Sequence, residues 1–358
     1  MNLTGPALLD AITYLPCIRS RQAELKGYLE LRQETKDLLH PIVGIGKLGR
    51  ISQAGRVLEQ VFAKVGRCFI DLHSAPGQTC DEWDQLCDHA DNYRAWRELA
   101  GSIGGVTPVA LLRDGATERP FIRQVLSIEN DFGAVVVRSR QPAQDLSSLQ
   151  AALAAIDEVN NLLIVLDFGY VRGALEPKAI EARRVISALR TTDPTARIAV
   201  VGSSYPRSVA VYGDRRGVLE IVERDLHAQL GGDDVSIYGD HGSIYPEHFE
   251  PTMSRWVPRV DYCLDNAWLY ERRRDDEGGY VECANAIVAS ADWDPAFVTQ
   301  AWGAAKIFEA HNSGAVPAGF GAPANWIAAR VNMHIERQSA LSTSANEGGE
   351  EDFDDLIG

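Results

Sequence analysis

Short apolar runs recur along this chain at intervals that suit a repeated strand–helix unit. They open near Tyr14 (YLPCIRSR), Ile42 (IVGIGKL), Cys68 (CFIDLHS), Pro108 (PVALLRD), Ala134 (AVVVRSR), Leu162 (LLIVLDF), Arg197 (RIAVVGSSYP) and Val235 (VSIYGDHGSIYP), 26 to 40 residues apart. The clearest is Leu162–Leu166, where five apolar residues in succession suit a strand buried on both faces and fall far short of a membrane span. Amphipathic helical patterns fill most gaps: Gln22–Leu39, Ser52–Val65, Glu82–Ser102, Pro120–Glu129, Asp145–Val159, Pro177–Arg190, Gly217–Leu230 and a last one at Asp294–Ala310. Eight such units in alternation predict an α/β fold, a (β/α)8 TIM-barrel-like domain over residues 1–338. A doubly wound sheet is the alternative, but it does not itself require eight strands.

Two stretches fall outside the repeat. After the eighth strand, His248 to Trp293 reads as an insertion holding a hairpin: DYCLDNAWLYER, a charged turn at Arg272–Gly279, then YVECANAIVA. The last stretch, 339–358, reads as a polar, acidic and disordered tail. Its six acids (Glu347, Glu350, Glu351, Asp352, Asp354, Asp355) face no base. Phe353, Leu356 and Ile357 stand among them, as in a linear motif that docks into a basic-rimmed pocket of a partner.

Net charge is −15, which argues against direct binding to nucleic acid or to an anionic membrane. The six cysteines (17, 68, 80, 87, 263, 283) form no CxxC and no zinc-like spacing. Cys263 and Cys283 could face each other across the hairpin, but reduced thiols in a cytoplasmic protein are the preferred reading.

Candidate chemistry gathers at the strand ends, where barrels place their sites. Gly44-x-Gly46-x-x-Gly49, with Asp71 ending the next strand, matches a dinucleotide fingerprint in spacing. Its helix, however, is expected to start at Ser52, beyond the third glycine, so a turn is the better reading and no cofactor is expected. Strand one ends Ile18-Arg19-Ser20-Arg21 and strand five ends Val137-Arg138-Ser139-Arg140, on opposite sides of an eightfold barrel. With Arg113 and Lys47, these arginines suit an anion pocket for phosphate or carboxylate. Asp71, His73, Asp167, Asp240 and His241 are their counterpart, so a plug of mutually neutralised Arg and Asp is the competing reading. A metal held by those five is a further option, set aside because strand one offers Arg19 and Arg21 where metal-dependent barrels place two histidines. HExxH, GxSxG and phosphate-loop signatures are all missing from the sequence. Ser203 and Ser204 read as turn or cap residues.

TYLPCIRSRQAELKGYLEL followed by HPIVGI, FIDL at strand three, IVLDFG at strand six, IYGDHGSI at strand eight and the closing NWIAARVNMHIERQ together resemble the Beta protein family of phages, satellite phages and bacterial genomes. The likeness runs from about residue 12 to 338. The chain departs from it at GIGKLG, where the family carries an acidic residue. The resemblance implies a counterpart to a killing protein, Gop, encoded beside it, in a unit linked to phage defence. It carries no catalytic residues with it. The expected role is a non-catalytic or weakly catalytic barrel that binds and neutralises or regulates an effector encoded nearby, itself basic or nucleic-acid-binding. The alternative is a hydrolase- or phosphodiesterase-like enzyme acting on a phosphorylated or nucleotide-like molecule. There Arg19, Arg21, Arg113, Arg138 and Arg140 grip the anion, Asp167 or Asp240 acts as acid/base, and His241 or His73 carries a second proton.

Overall fold

The computed structural model describes residues 5–113, 118–249 and 256–347. Eleven strands occur among them: β1 Tyr14–Arg19, β2 Ile42–Ile45, β3 Cys68–Leu72, β4 Val106–Ala110, β5 Val135–Ser139, β6 Leu162–Tyr170, β7 Arg197–Ser203, β8 Arg216–Glu220, β9 Ile237–Asp240, β10 Arg259–Cys263 and β11 Ala267–Arg272. Eight of these close into a parallel barrel in the order β1-β2-β3-β4-β5-β6-β7-β9, the last pairing back onto β1. The eight predicted runs are the eight barrel strands.

Alternation along each strand sorts the side chains. Leu15 and Cys17, Phe69, Val136, Leu163 and Val165 belong to one buried cluster inside the barrel, which Leu9 of the helix Pro6–Asp10 joins. The intervening positions, such as Ile18, Ile70, Val137, Ile164 and Leu166, pack in the clusters shared with the surrounding helices. Burial on both faces is why these strands read as unbroken apolar runs.

The structure corrects three parts of the predicted layout. First, Gly217–Glu220 is not helical: β8 occupies Arg216–Glu220, and the helix covers only Val222–Leu230. Second, the hairpin lies one element earlier than its expected partner. Strand β10 pairs antiparallel with β11, β11 pairs with β8, and YVECANAIVA forms the helix Gly279–Val288. A three-stranded sheet is thus assembled from two insertions, one after β7 and one after β9. Both its faces are buried, Trp268 and Tyr270 on one and Tyr262 with Leu269 on the other, and they share a cluster with Cys283 and Ile287 of that helix and Ala304 and Ile307 of Trp302–Ser313. Third, the helical region at Asp294–Ala310 belongs to this satellite unit. The long helix Pro323–Glu347 instead packs against Gln22–Leu29 and, through Arg224 on Gln338 and Ser342, against Val222–Leu230. It holds the place of the eighth barrel helix.

Two helices approach the closing helix too tightly for a side chain at the crossing. A Cβ on Gly27 would lie 2.7 Å from the Ala328 carbonyl oxygen, and one on Gly303 would lie 2.2 Å from that of Ala329. Polar residues on the closing helix are buried and paired. Glu336 accepts from the Arg32 backbone N–H and guanidinium and from the Thr35 hydroxyl. Asn332 accepts from Gly303 N–H and donates to the Gly27 carbonyl. Arg330 pairs with Asp261 at 2.8 Å. The helix continues to Glu347, so 339–347 is helical where a flexible tail was expected, and the rest of that tail lies outside the described residues. All six cysteines are free thiols and buried, Cys263 and Cys283 included. No helix among the described residues is long and apolar enough to cross a membrane.

Candidate functional site

Beyond the apolar interior, alternation carries charged residues to the carboxyl end of the barrel. Two positions past Cys17 comes Arg19, past Phe69 come Asp71 and His73, past Val136 come Arg138 and Arg140, and past Val165 comes Asp167. A hollow of about 460 Å³ opens there, with Cys17 and Arg138 among its lining residues and Arg19, His73, Arg140, Asp167, Lys178 and His241 around it. A smaller one of about 300 Å³ shares Arg138 and Arg140 and reaches Asp71 and Arg113.

The charges are linked. Arg138 is buried and donates through Nε and Nη2 to one oxygen of Asp167, at 3.1 and 2.6 Å. Its Nη1 lies 3.3 Å from Asp71, and Arg140 donates to the same Asp71 oxygen at 2.5 Å. The other oxygen of Asp167 accepts from Gly169 N–H at 2.9 Å and meets His241 Nε2 at 3.0 Å. Burial alone would raise the Asp167 carboxyl, but His241 and Arg138 beside it hold it well below the ordinary range. Arg19 is turned to Glu24 of the following helix, with contacts of 3.0 Å from both Nε and Nη2. The neutralised Arg–Asp plug therefore describes Arg138, Asp167 and Asp71.

Other candidates fall elsewhere. Asp240 does not line the hollow. It is one residue from His241, so strand alternation points it outward into the helix layer, where it has no exposure. There it accepts from the Tyr14 hydroxyl (2.9 Å) and Gly242 N–H (2.7 Å) and pairs with His334 Nε2 at 2.9 Å. Arg113 is exposed, with its guanidinium 5.5 Å from the centre of the Trp83 ring. Lys47 is exposed beyond β2 and lines neither hollow. Arg21 caps the helix Gln22–Leu29 and is likewise absent from the hollow's wall; burial, then Arg19, lowers its guanidinium from the usual value. Phe353, Leu356 and Ile357 lie outside the described residues.

The glycine motif is a turn. Leu48 and Ile51 bridge across it, Gly49 adopts φ +62°, and the next helix begins only at Ala54. Ser52 is not its cap. The Ser52 hydroxyl donates to Asp81, and Glu82 accepts from Ala54 N–H at 2.9 Å instead. A pyrophosphate would find no open helix end here. Among the described residues no group of three or more His, Cys, Asp or Glu side chains is placed to hold a metal ion. With Asp71 committed to two guanidiniums and Asp240 facing away, the five-residue ligand set does not assemble. Cys17 sits on the hollow's wall, but burial pushes its thiol up to about 12, leaving it a poor nucleophile.

His73 is different. Its Nε2 is buried and has no hydrogen-bond partner. Burial, with Arg19, Arg21 and Arg140 nearby, lowers the ring's pKa to about 3, so it is neutral. Sequence reasoning missed Lys178 and the aromatic rim, because Lys178 comes from a helix start, Tyr212, Tyr245 and Phe249 come from loops and turns, and Tyr170 ends β6 beyond the charged positions that drew notice. Tyr170 meets Tyr245 edge-on at 5.1 Å, Tyr245 meets Phe249 at 6.0 Å, and Arg172 covers Tyr212 at 5.5 Å.

The Beta protein family model matches residues 14–340. Among curated proteins, the chain is similar to Protein beta of Enterobacteria phage P4, 31% identical over 352 residues, covering 96% of this chain and 98% of that one. The matched span takes in the whole barrel and the satellite unit.

Proposed function

The chain belongs to the Beta protein family, and from that premise we propose that it is a binding protein that neutralises or regulates a protein effector encoded nearby. The observation that carries this reading is the rim. Val211 is 77% and Tyr212 44% exposed, and Phe249 is 38% exposed beside Arg207. Exposed aromatic and arginine side chains around one opening are the residue types that anchor protein interfaces. The net charge of −15 favours a basic partner and speeds its approach. Asp167, with both oxygens taken, and Asp240, buried away from the hollow, fit the same reading, since a general base needs a free lone pair within reach of substrate.

A second reading, a barrel enzyme acting on a phosphorylated small molecule, is favoured by one feature: the His241–Asp167 pair opens on the larger hollow. One experiment separates the two. Co-expression of the effector with His241→Gln should leave protection within about twofold of wild type, because glutamine still reaches Asp167 and a binding role needs no proton transfer. Tyr212→Ala combined with Phe249→Ala should weaken effector binding at least about thirtyfold, as two anchors are removed. Loss of protection of about a hundredfold or more in His241→Gln, with the rim variant unaffected, establishes the enzyme instead.

A further inference from the structure

The wall of the larger hollow offers hydrogen-bond donors and almost no free acceptors. Both oxygens of Asp167 are occupied, by Arg138 on one side and by His241 and Gly169 N–H on the other. Glu247, exposed at the edge, accepts from the Tyr245 hydroxyl at 2.5 Å through one of its oxygens. Against this, Arg140 spends one N–H on Asp71 while its side chain stays 45% exposed. A guanidinium carries five such donors. Lys178 lies 5.6 Å from the Phe168 ring and has no carboxylate partner among the described residues. His73 Nε2 is buried and unpaired. These three reach the hollow from β3, β5 and the helix Leu175–Thr192, around one opening. Arg19 and Arg138, which the sequence grouped with them, are neutralised by Glu24 and by Asp167 with Asp71.

We infer that the hollow binds a phosphate monoester, its phosphoryl oxygens held by Arg140, Lys178 and His73 and its organic body laid against Phe168 and Tyr170. The residue types argue for each half. Two cations and a neutral N–H donor suit a group with three acceptor oxygens and a charge near −2, more than a flat carboxylate. A neutral His73 protonated at Nε2 gives that N–H without adding a third charge to the cluster, and burial with the nearby arginines keeps it neutral. The volume of about 460 Å³ lies within the range of small-ligand pockets and exceeds what one phosphate fills. Phe168 and Tyr170 give the remaining space an aromatic wall. The site does not rest on the partner-binding reading. A ligand here sits beneath the rim and is present whether or not an effector docks above it.

The test is a calorimetric titration of the full chain with phenyl phosphate, with inorganic phosphate and phenol as the two half-ligands. Phenyl phosphate should bind, more tightly than either half. Arg140→Gln and Lys178→Gln should each weaken it at least about tenfold, since each removes a charged hydrogen bond. Arg113→Gln, in the neighbouring hollow, should leave it unchanged. Lys178 is half-buried on a helix surface, so its variant reports even if Arg140→Gln disturbs the fold. Absence of phenyl phosphate binding at millimolar concentration overturns the inference. So does binding that survives both substitutions, or that phenol matches.

Discussion

His334→Ala should cost about 3–5 kcal/mol of folding stability, the loss expected when one partner leaves a buried ion pair. His334 and Asp240 are both fully buried, 2.9 Å apart, and join the closing helix to the end of β9. Removing the imidazole leaves Asp240 with the Tyr14 hydroxyl and Gly242 N–H, too little for a buried charge. The pH dependence follows from the same contact. Burial alone would depress His334, but the Asp240 carboxylate raises it to about 10, above the usual 6.5. A group with a raised folded value contributes its stability fully below the unfolded value, and that contribution is lost as pH rises through the folded one. Wild-type stability should therefore fall between about pH 6.5 and 10, and His334→Ala should lack that fall. Asp240 has its folded value lowered, so its own contribution is present above the ordinary carboxylate range and lost in acid. Urea midpoints across pH measure both. An unchanged midpoint, or the same alkaline fall in the variant, contradicts the buried pair.

Arg138→Met should be of similar size, about 3–5 kcal/mol, for a related reason. The guanidinium is the shared cation between Asp71 and Asp167, and without it two buried carboxylates point at an apolar side chain. Arg140 still meets Asp71 and His241 still meets Asp167, so the fold should survive weakened. Adding Asp167→Asn removes the stranded charge. The double variant should recover at least about 1 kcal/mol relative to the sum of the singles, the coupling expected of residues in one network. Additive losses show that Arg138 acts by packing alone.

The barrel was legible because parallel strands buried on both faces leave apolar runs that few other structures produce. Leu162–Leu166 and Val135–Val137 are such runs, and every barrel strand had one. The satellite sheet was not legible. In β8, RGVLE alternates as an edge strand does, and it abuts the helix Val222–Leu230 closely enough to pass as its first turn. The closing helix was hidden because it is buried all round, polar and apolar residues alternating without a helical period: between Val331, Met333 and Ile335, the side chains of Arg330, Asn332, His334 and Glu336 satisfy partners brought from Asp261, Gly303, Asp240 and Arg32, and no local pattern names a partner. At the site, residue types were readable and directions only partly so. Arg138 with Asp167 followed from charge at strand ends. Asp240 and His241 are adjacent and so face opposite sides of the sheet, a distinction the period of two contained all along. Arg19 stays on the hollow's wall, but Glu24, five residues on, neutralises it.

We propose that this family member works by holding a protein. The most direct measurement is native mass spectrometry of the chain purified after co-expression with its neighbouring genes. A stoichiometric complex with a basic protein, lost when Tyr212 and Phe249 are both changed to alanine, is the expected result. Recovery of the chain free of any protein partner, alone or as copies of itself, while it still protects cells from the effector, contradicts a binding role and favours an enzyme.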